Sequence, residues 1–200
     1  AHAAGCPGTL AACSVVPTTD VTVDSLALLA RYRINDNMSV LGGLNRYEVS
    51  NGKVQTASGY YIVSGDEMAP IAGAAYENKE IALRVELILQ TETDVALNAT
   101  SSLSPLVTTT AVTGAKMVIP QTLTLNFQSG IAEDTLLFGS VHKADWKTAQ
   151  ISIPANAGNG PTPAVGSDFA NRTAYSIGIG RKLSDSISVL GSYATEGGGG

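Results

Sequence analysis

Residues 117–147 carry the clearest alternation of apolar and polar side chains in the chain. Leu123, Leu125 and Phe127 fall on one side. The polar residues between them fall on the other: Thr122, Thr124, Asn126 and Gln128. A period of two predicts a strand with one apolar and one polar face. A short break at residues 130–134 and a second run at 135–147 complete a long antiparallel hairpin. Its arms have about ten residues each, the length that a tilted strand needs to cross a bilayer.

The same pattern predicts three further hairpins. They pair residues 21–34 with 38–49, 67–77 with 80–94, and 172–183 with 186–195. In the strand at 80–94, Leu83, Val85, Leu87 and Leu89 point one way, and the residues between them point the other. Because Pro70 lacks a backbone N–H, we expect it near a strand end or a bulge.

The connections between the predicted strands differ in length in a regular way. Residues 35–37, 78–79, 130–134 and 184–185 form short turns, and residues 50–66, 95–116 and 150–171 form long loops. The short turns therefore fall at one end of the molecule and the long loops at the other. Outer-membrane barrels have short periplasmic turns and longer extracellular loops, whereas a soluble β-sandwich has no reason for this asymmetry. We predict an all-β, antiparallel, up-and-down transmembrane β-barrel with about eight strands in this chain.

Two details of this topology concern the faces and ends of the strands. Phe138, Ser140, His142 and Trp146 share one face of residues 136–147, and Val141, Lys143 and Asp145 share the other, so its facing stays open. Tyrosine and tryptophan belong at membrane interfaces. We expect Tyr32 and Tyr76 near the periplasmic ends of their strands. Near the extracellular ends we expect Tyr47, Trp146, Tyr175 and Tyr193.

Composition narrows the class of protein and of partner. Charged residues make up 14% of the chain, below the roughly 25% of soluble domains. The net charge of −5 argues against a nucleic-acid partner, because no basic stripe is available for phosphates. Cys6 and Cys13 lie close together in a loop-like segment, which suits a small disulfide in an oxidising compartment. We expect neither a metal site nor another cofactor.

Four segments resemble the FadL/TodX outer-membrane transporters, which carry long-chain fatty acids and other hydrophobic compounds. They read ARYRINDNMSVLGGLNRYEVSNGKVQ, AGAAYENKEIALRVELILQTET, MVIPQTLTLNFQSGIAEDTLLFGSVHKADW and TAYSIGIGRKLSDSISVLGSYATEG. The resemblance implies a barrel of about fourteen strands, plugged by an N-terminal hatch. We expect residues 1–200 to form a single, partial outer-membrane barrel domain without the hatch and the terminal strands. The resemblance to this family also implies a bacterial outer-membrane location, a hydrophobic small-molecule ligand, surrounding lipid and a monomeric protein.

Residues that could serve transport lie on the predicted inward face. Arg31, Arg33 and Arg84 are candidate partners for a ligand carboxylate, with Glu86 beside them. The alternative is that these arginines pair with Glu86 and Glu92 and give the polar lining of any barrel. No nucleophile elbow, zinc-protease motif or phosphate-binding loop is present in the sequence, so we predict no enzymatic activity.

Two functions follow from these patterns. The leading prediction is a channel for passive uptake of long-chain fatty acids or other hydrophobic molecules. The alternative is a structural or adhesive outer-membrane barrel whose extracellular loops bind a partner.

Overall fold

The computed structural model describes residues 18–56, 59–102, 110–155, 164–165 and 169–198. Within these ranges the chain forms one antiparallel sheet of 12 strands. The strands are β1 (Thr18–Arg33), β2 (Met38–Thr56), β3 (Gly59–Asn78), β4 (Leu83–Gln90), β5 (Thr93–Ser102), β6 (Thr110–Ile119), β7 (Thr122–Ala132), β8 (Thr135–Ala144), β9 (Ile151–Ile153), β10 (Ala164–Val165), β11 (Arg172–Lys182) and β12 (Ser188–Gly198). Two 3₁₀ turns occupy Lys79–Ile81 and Trp146–Thr148. Within the described ranges, helices long and apolar enough to cross a membrane are absent.

Eight strands form a curved wall in the order β1-β2-β3-β4-β7-β8-β11-β12. These are the eight predicted strands, joined by the four predicted short turns at one end. Among the described residues, β1 pairs only with β2 and β12 only with β11, so the sheet is open at both edges. The predicted fold class is confirmed: an antiparallel barrel sheet, present in part.

The wall has an apolar outer face, and most of its buried polar side chains lie on the inner face. Its outward leucines and isoleucines are exposed: Leu28 by 81%, Leu87 by 46% and Ile177 by 51%. Inward polar residues are buried instead, including Asn45 and Gln90. A water-soluble sheet has the opposite arrangement, with apolar side chains inside. The predicted facings of β1, β4 and β7 are confirmed.

The remaining four strands continue the sheet beyond the wall. We call them the extension: β5, β6, β9 and β10, together with residues 49–56 of β2 and 59–64 of β3. The extension has a core of buried apolar side chains, with Val54, Tyr61, Val63 and Ile153 all fully buried. Hydrophobic burial therefore stabilises this part of the chain in the manner of an ordinary soluble β-domain.

The extension corrects the prediction of long loops. Residues 50–66 are strand apart from the undescribed pair 57–58, and residues 95–116 contribute β5 and β6. Residues 150–171 contribute β9 and β10. The pair Asn51-Gly52 is a bulge in β2: Asn51 has a φ of 48°, and the pairing with β3 shifts between Val49 and Gly52. Val49 and Val54 are five positions apart and would face opposite sides of a regular strand. The extra residue of the bulge shifts the alternation by one, so both side chains lie on the same buried face.

The middle of β3 changes partner from one strand to another. Its residues from Ile71 onwards pair with β4, and Tyr60–Ser64 pair with β5. Pro70 lies between these two ladders and pairs with neither β4 nor β5. The backbone N–H that proline lacks is therefore not needed on this side of β3. Pro70 is therefore inside a strand and not near its end, but it occupies an interruption in the pairing.

Candidate ligand cavity and lumen ion network

An apolar cavity lies on the inward side, where the wall meets the extension. Its volume is about 670 Å³, within the range of roughly 300–1,000 Å³ that is typical of small-molecule sites. Met117 and Ile119 at the end of β6 and Ile151 of β9 supply aliphatic side chains. The cavity is thus built from residues that are distant in sequence.

One side of the cavity comes from the strand alternation of β1. Thr19, Val21, Val23 and Ser25 all line it, because every second residue of a strand points to the same face. Val21 and Val23 also pack against the core of the extension. This side of the cavity is therefore supported by buried apolar side chains.

On the opposite side, backbone hydrogen bonds connect the end of β6 and the residues that follow it to the segment between β8 and β9. The backbone N–H of Val118 donates to the carbonyl of Gln150 at 2.9 Å, and that of Asp145 donates to the carbonyl of Gln121 at 3.1 Å. These bonds fix the 3₁₀ turn Trp146–Thr148 beside the link from β6 to β7. The turn brings Trp146 into the cavity lining.

An aromatic pair closes part of this side. The rings of Trp146 and Phe169 meet edge to face, with their centroids 6.0 Å apart and their planes inclined by 67°. The backbone N–H of Lys147 donates to Asn171 Oδ1 at 2.9 Å, which holds the two chain segments together. Both rings are partly exposed, so an entering molecule meets aromatic surface.

The polar part of the cavity is a neutral amide. Gln90 of β4 is buried, and its Oε1 accepts hydrogen bonds from Tyr47 Oη at 2.8 Å and Asn45 Nδ2 at 3.3 Å. Gln90, Tyr47 and Thr122 line the cavity. These groups form hydrogen bonds without adding charge.

A four-residue ion network lies on the inward face nearer the short turns. We call it the lumen network: Arg31 of β1, Glu77 of β3, and Arg84 and Glu86 of β4. Arg31 Nη2 pairs with Glu86 Oε1, and Arg84 Nη2 approaches the same oxygen at 2.9 Å. Glu77 Oε1 lies 3.5 Å from Arg31 Nη1 and 3.6 Å from Arg84 Nε. Two cations and two anions thus share one cluster.

The network spans the wall because the residues between its members are small. Arg31 reaches from β1 to β4 across β2 and β3. Ser39 of β2, which accepts a bond from Arg31 Nη1 at 3.4 Å, and Ala75 of β3 are both buried on this inward face. A larger residue at either position would block the path of the arginine side chain.

The structure brings together three of the four predicted site residues: Arg31, Arg84 and Glu86. Arg33 is not part of the lumen network, and Glu77 takes the place expected for Glu92 as the second anion. That these residues contact a ligand stays a prediction. Cys6 and Cys13 lie outside the described residues.

The strand whose facing was open, β8, is placed by its pairing. Ala144 pairs with the cavity residue Thr122, so Phe138, Ser140 and His142 point inward and Val141 and Lys143 outward. His142 Nδ1 lies 2.8 Å from the Thr124 hydroxyl. No group of three potential metal ligands forms in the described part of the chain.

The aromatic residues divide between the two faces of the wall. Tyr32, Tyr76, Tyr175 and Tyr193 are exposed on the outward side. Tyr47 and Trp146 line the cavity instead, so these two rings point inward. Their expected place near the extracellular ends stays a prediction. They are the cavity residues that sequence reasoning came closest to finding.

Neither a protein-family model nor a curated protein sequence matches this chain. Solved structures do match its fold. A Pseudomonas aeruginosa FadL homologue gives a TM-score of 0.62 at 14% identity, over 88% of this chain and 50% of its own. The Ralstonia pickettii toluene transporter TbuX gives 0.62 at 13% identity, over 90% and 56%. A TodX deltaS2S3 mutant, a monoaromatic hydrocarbon channel, gives 0.59 at 11% identity, over 90% and 56%.

These matches confirm the predicted resemblance at the level of the fold. The chain folds like a part of a FadL-type transporter and spans about half the length of the structures it matches.

Proposed function

We propose that this chain forms part of a bacterial outer-membrane channel for the passive uptake of hydrophobic small molecules. The observation that carries the proposal is the apolar cavity on the inward side of a wall whose outer face is itself apolar. The fold supports it, since the matching structures include a toluene transporter and a monoaromatic hydrocarbon channel. In this proposal, molecules enter the preformed cavity and leave along the lumen down their concentration gradient.

The outward face indicates where lipid would contact the wall. The outward apolar side chains extend from Leu26 of β1 to Ile34, which directly follows β1. This run covers about nine residues, as expected for a strand that crosses a bilayer. Towards the extension this surface ends in charges: Arg46 Nη1 lies 3.3 Å from Glu48 Oε2, and Arg46 Nη2 lies 3.2 Å from Asp66 Oδ2. We place the outer membrane boundary at this cluster and the extension outside the cell.

We also propose that the protein is a monomer with a single barrel domain.

Uptake measurements on two adjacent residues of β1 test the proposal. Ser25→Trp places an indole in the cavity, whereas Leu26→Trp places the same group on the outward face. In a strain that lacks the native gene, each variant is expressed and the entry of labelled toluene and of a labelled long-chain fatty acid is measured. We expect Ser25→Trp to lower uptake of the transported compound at least about tenfold, because the side chain fills a site of this size. Leu26→Trp should transport like the wild type.

The alternative, a structural or adhesive barrel, predicts a different outcome. Deletion of the gene would then leave the entry of both compounds unchanged while adhesion to a partner is lost. That alternative requires a lumen filled by interlocking side chains, and the open cavity favours the channel.

A further inference from the structure

We infer that the cavity selects uncharged hydrophobic molecules and rejects ionised carboxylates. This inference rests on the proposed transport function and names the class of molecule that the same site takes. It separates neutral hydrocarbons, alcohols and esters from free fatty acids.

The lining of the cavity carries no charge among its described side chains. These side chains are aliphatic, aromatic, hydroxyl or amide. A carboxylate that leaves water needs a cation or several hydrogen-bond donors, because burying an unpaired charge is strongly unfavourable. Gln90 Oε1 accepts hydrogen bonds from the Tyr47 hydroxyl and the Asn45 amide, so this oxygen cannot bind an anion. The other donors of the lining are neutral hydroxyl, amide and indole groups, which pair with a carboxylate more weakly than a cation does.

The lysines and arginines of this chain all lie away from the cavity lining. The chain has 12 lysines and arginines, and all of them lie within the described residues. None lines the cavity. Undescribed segments of this chain therefore cannot bring a lysine or arginine to it.

The two arginines of the lumen network are already paired with glutamates. Arg31 and Arg84 each contact both Glu77 and Glu86. Their charges are balanced inside the lumen network, and a ligand carboxylate would have to displace a glutamate that is already in place. Neutral molecules face no such competition.

A matched pair of ligands tests the inference. Octan-1-ol and octanoate have the same number of carbon atoms and differ in charge at neutral pH. Trp146 is the only tryptophan of the chain and lines the cavity, so its fluorescence reports occupancy. Binding to the full-length protein is titrated in detergent micelles, with free ligand concentrations corrected for partition into the micelle. Trp146→Phe identifies the part of the signal that comes from this residue.

Two variants sharpen the test. Thr122→Lys adds a cation to the lining and should raise octanoate affinity at least about tenfold, since a charge-assisted bond replaces an unpaired anion. Lys147→Gln removes the exposed cation next to Trp146 in sequence and should leave both affinities unchanged.

In the wild type we expect octanoate to bind on the order of 100-fold more weakly than octanol. At a pH below the pKa of the ligand's own carboxyl group, octanoate becomes neutral octanoic acid and should bind more tightly. Equal or tighter binding of ionised octanoate overturns the inference but leaves the proposed channel intact. Binding of neither ligand, together with unchanged hydrocarbon uptake after gene deletion, overturns both.

Discussion

The wall and the extension belong to one continuous sheet but place their apolar side chains on opposite sides. In the extension, Val63 and Ile153 are fully buried, whereas in the wall Leu28 is 81% exposed and Gln90 is buried. Side-chain alternation is the same in both regions. This difference is the one expected if lipid surrounds the wall and water surrounds the extension, because the medium that a strand contacts decides which of its faces must be apolar.

The cavity lies where these two arrangements meet. The inward face of the wall carries the charged lumen network near the short turns, and next to the core of the extension its side chains are apolar, as at Val21 and Val23. An inward apolar site is thus a consequence of the change from one arrangement to the other.

The largest expected effect is the loss of a buried side chain from the extension. Tyr61 is fully buried in its core. Tyr61→Ala should lower the free energy of unfolding by about 3–5 kcal/mol, because it removes an aromatic ring and leaves a cavity. Chemical denaturation in detergent micelles measures the change. Tyr61→Phe keeps the ring and should cost much less; equal losses for the two variants would contradict the packing account.

An intermediate effect compares two outward residues of similar exposure. Leu87 of the wall is 46% exposed and Ile62 of the extension is 42% exposed. Leu87→Arg should cost about 2–4 kcal/mol in a bilayer, because it places a charge in lipid. Ile62→Arg should change stability by no more than about 0.5 kcal/mol, as for a water-exposed site. Reversible unfolding from lipid vesicles measures both, and equal costs would remove the distinction between the two regions.

A smaller effect compares ion pairs in the two regions. Glu86 is buried between two arginines. Glu86→Gln should lower the free energy of unfolding by about 1–2 kcal/mol, because it leaves the charges of Arg31 and Arg84 unbalanced. This is less than for a fully buried pair, because both guanidinium groups are partly exposed to solvent. Asp94→Asn breaks the exposed pair of Asp94 with Lys116, whose atoms are 2.7 Å apart, and should cost no more than about 1 kcal/mol. A larger loss for Asp94→Asn in the same denaturation experiment would show that the lumen network contributes little.

The wall could be predicted from the sequence because its alternation is long and its turns are short. The facings of Leu83, Val85 and Leu87 follow from period two alone. In the extension, by contrast, Asn51-Gly52 has the composition of a turn but forms a bulge within a strand. The apolar alternation at Val95 and Leu97 gives only a weak strand signal, because serine, threonine and alanine make up much of the surrounding sequence.

The cavity could not be predicted, because its members come together only through the curvature of the sheet. Val23 and Trp146 are far apart in sequence and share no motif. The lumen network was predictable in part, since Arg31, Arg84 and Glu86 have the right parity on their strands. Glu77 was missed, because the 3₁₀ turn Lys79–Ile81 lengthens the predicted turn and sets a register in which Glu77 pairs with Arg84.

The most direct test of the two-region account is a measurement of which medium each surface contacts. Nitroxide labels are attached at Leu125→Cys in the wall and at Ile62→Cys in the extension, with Cys6 and Cys13 replaced by serine, in lipid vesicles. Spin relaxation is then measured with oxygen, which concentrates in lipid, and with a water-soluble nickel complex. We predict that the label at position 125 responds to oxygen and is shielded from nickel, and that the label at position 62 shows the reverse. Equal exposure of both labels to nickel would contradict the account.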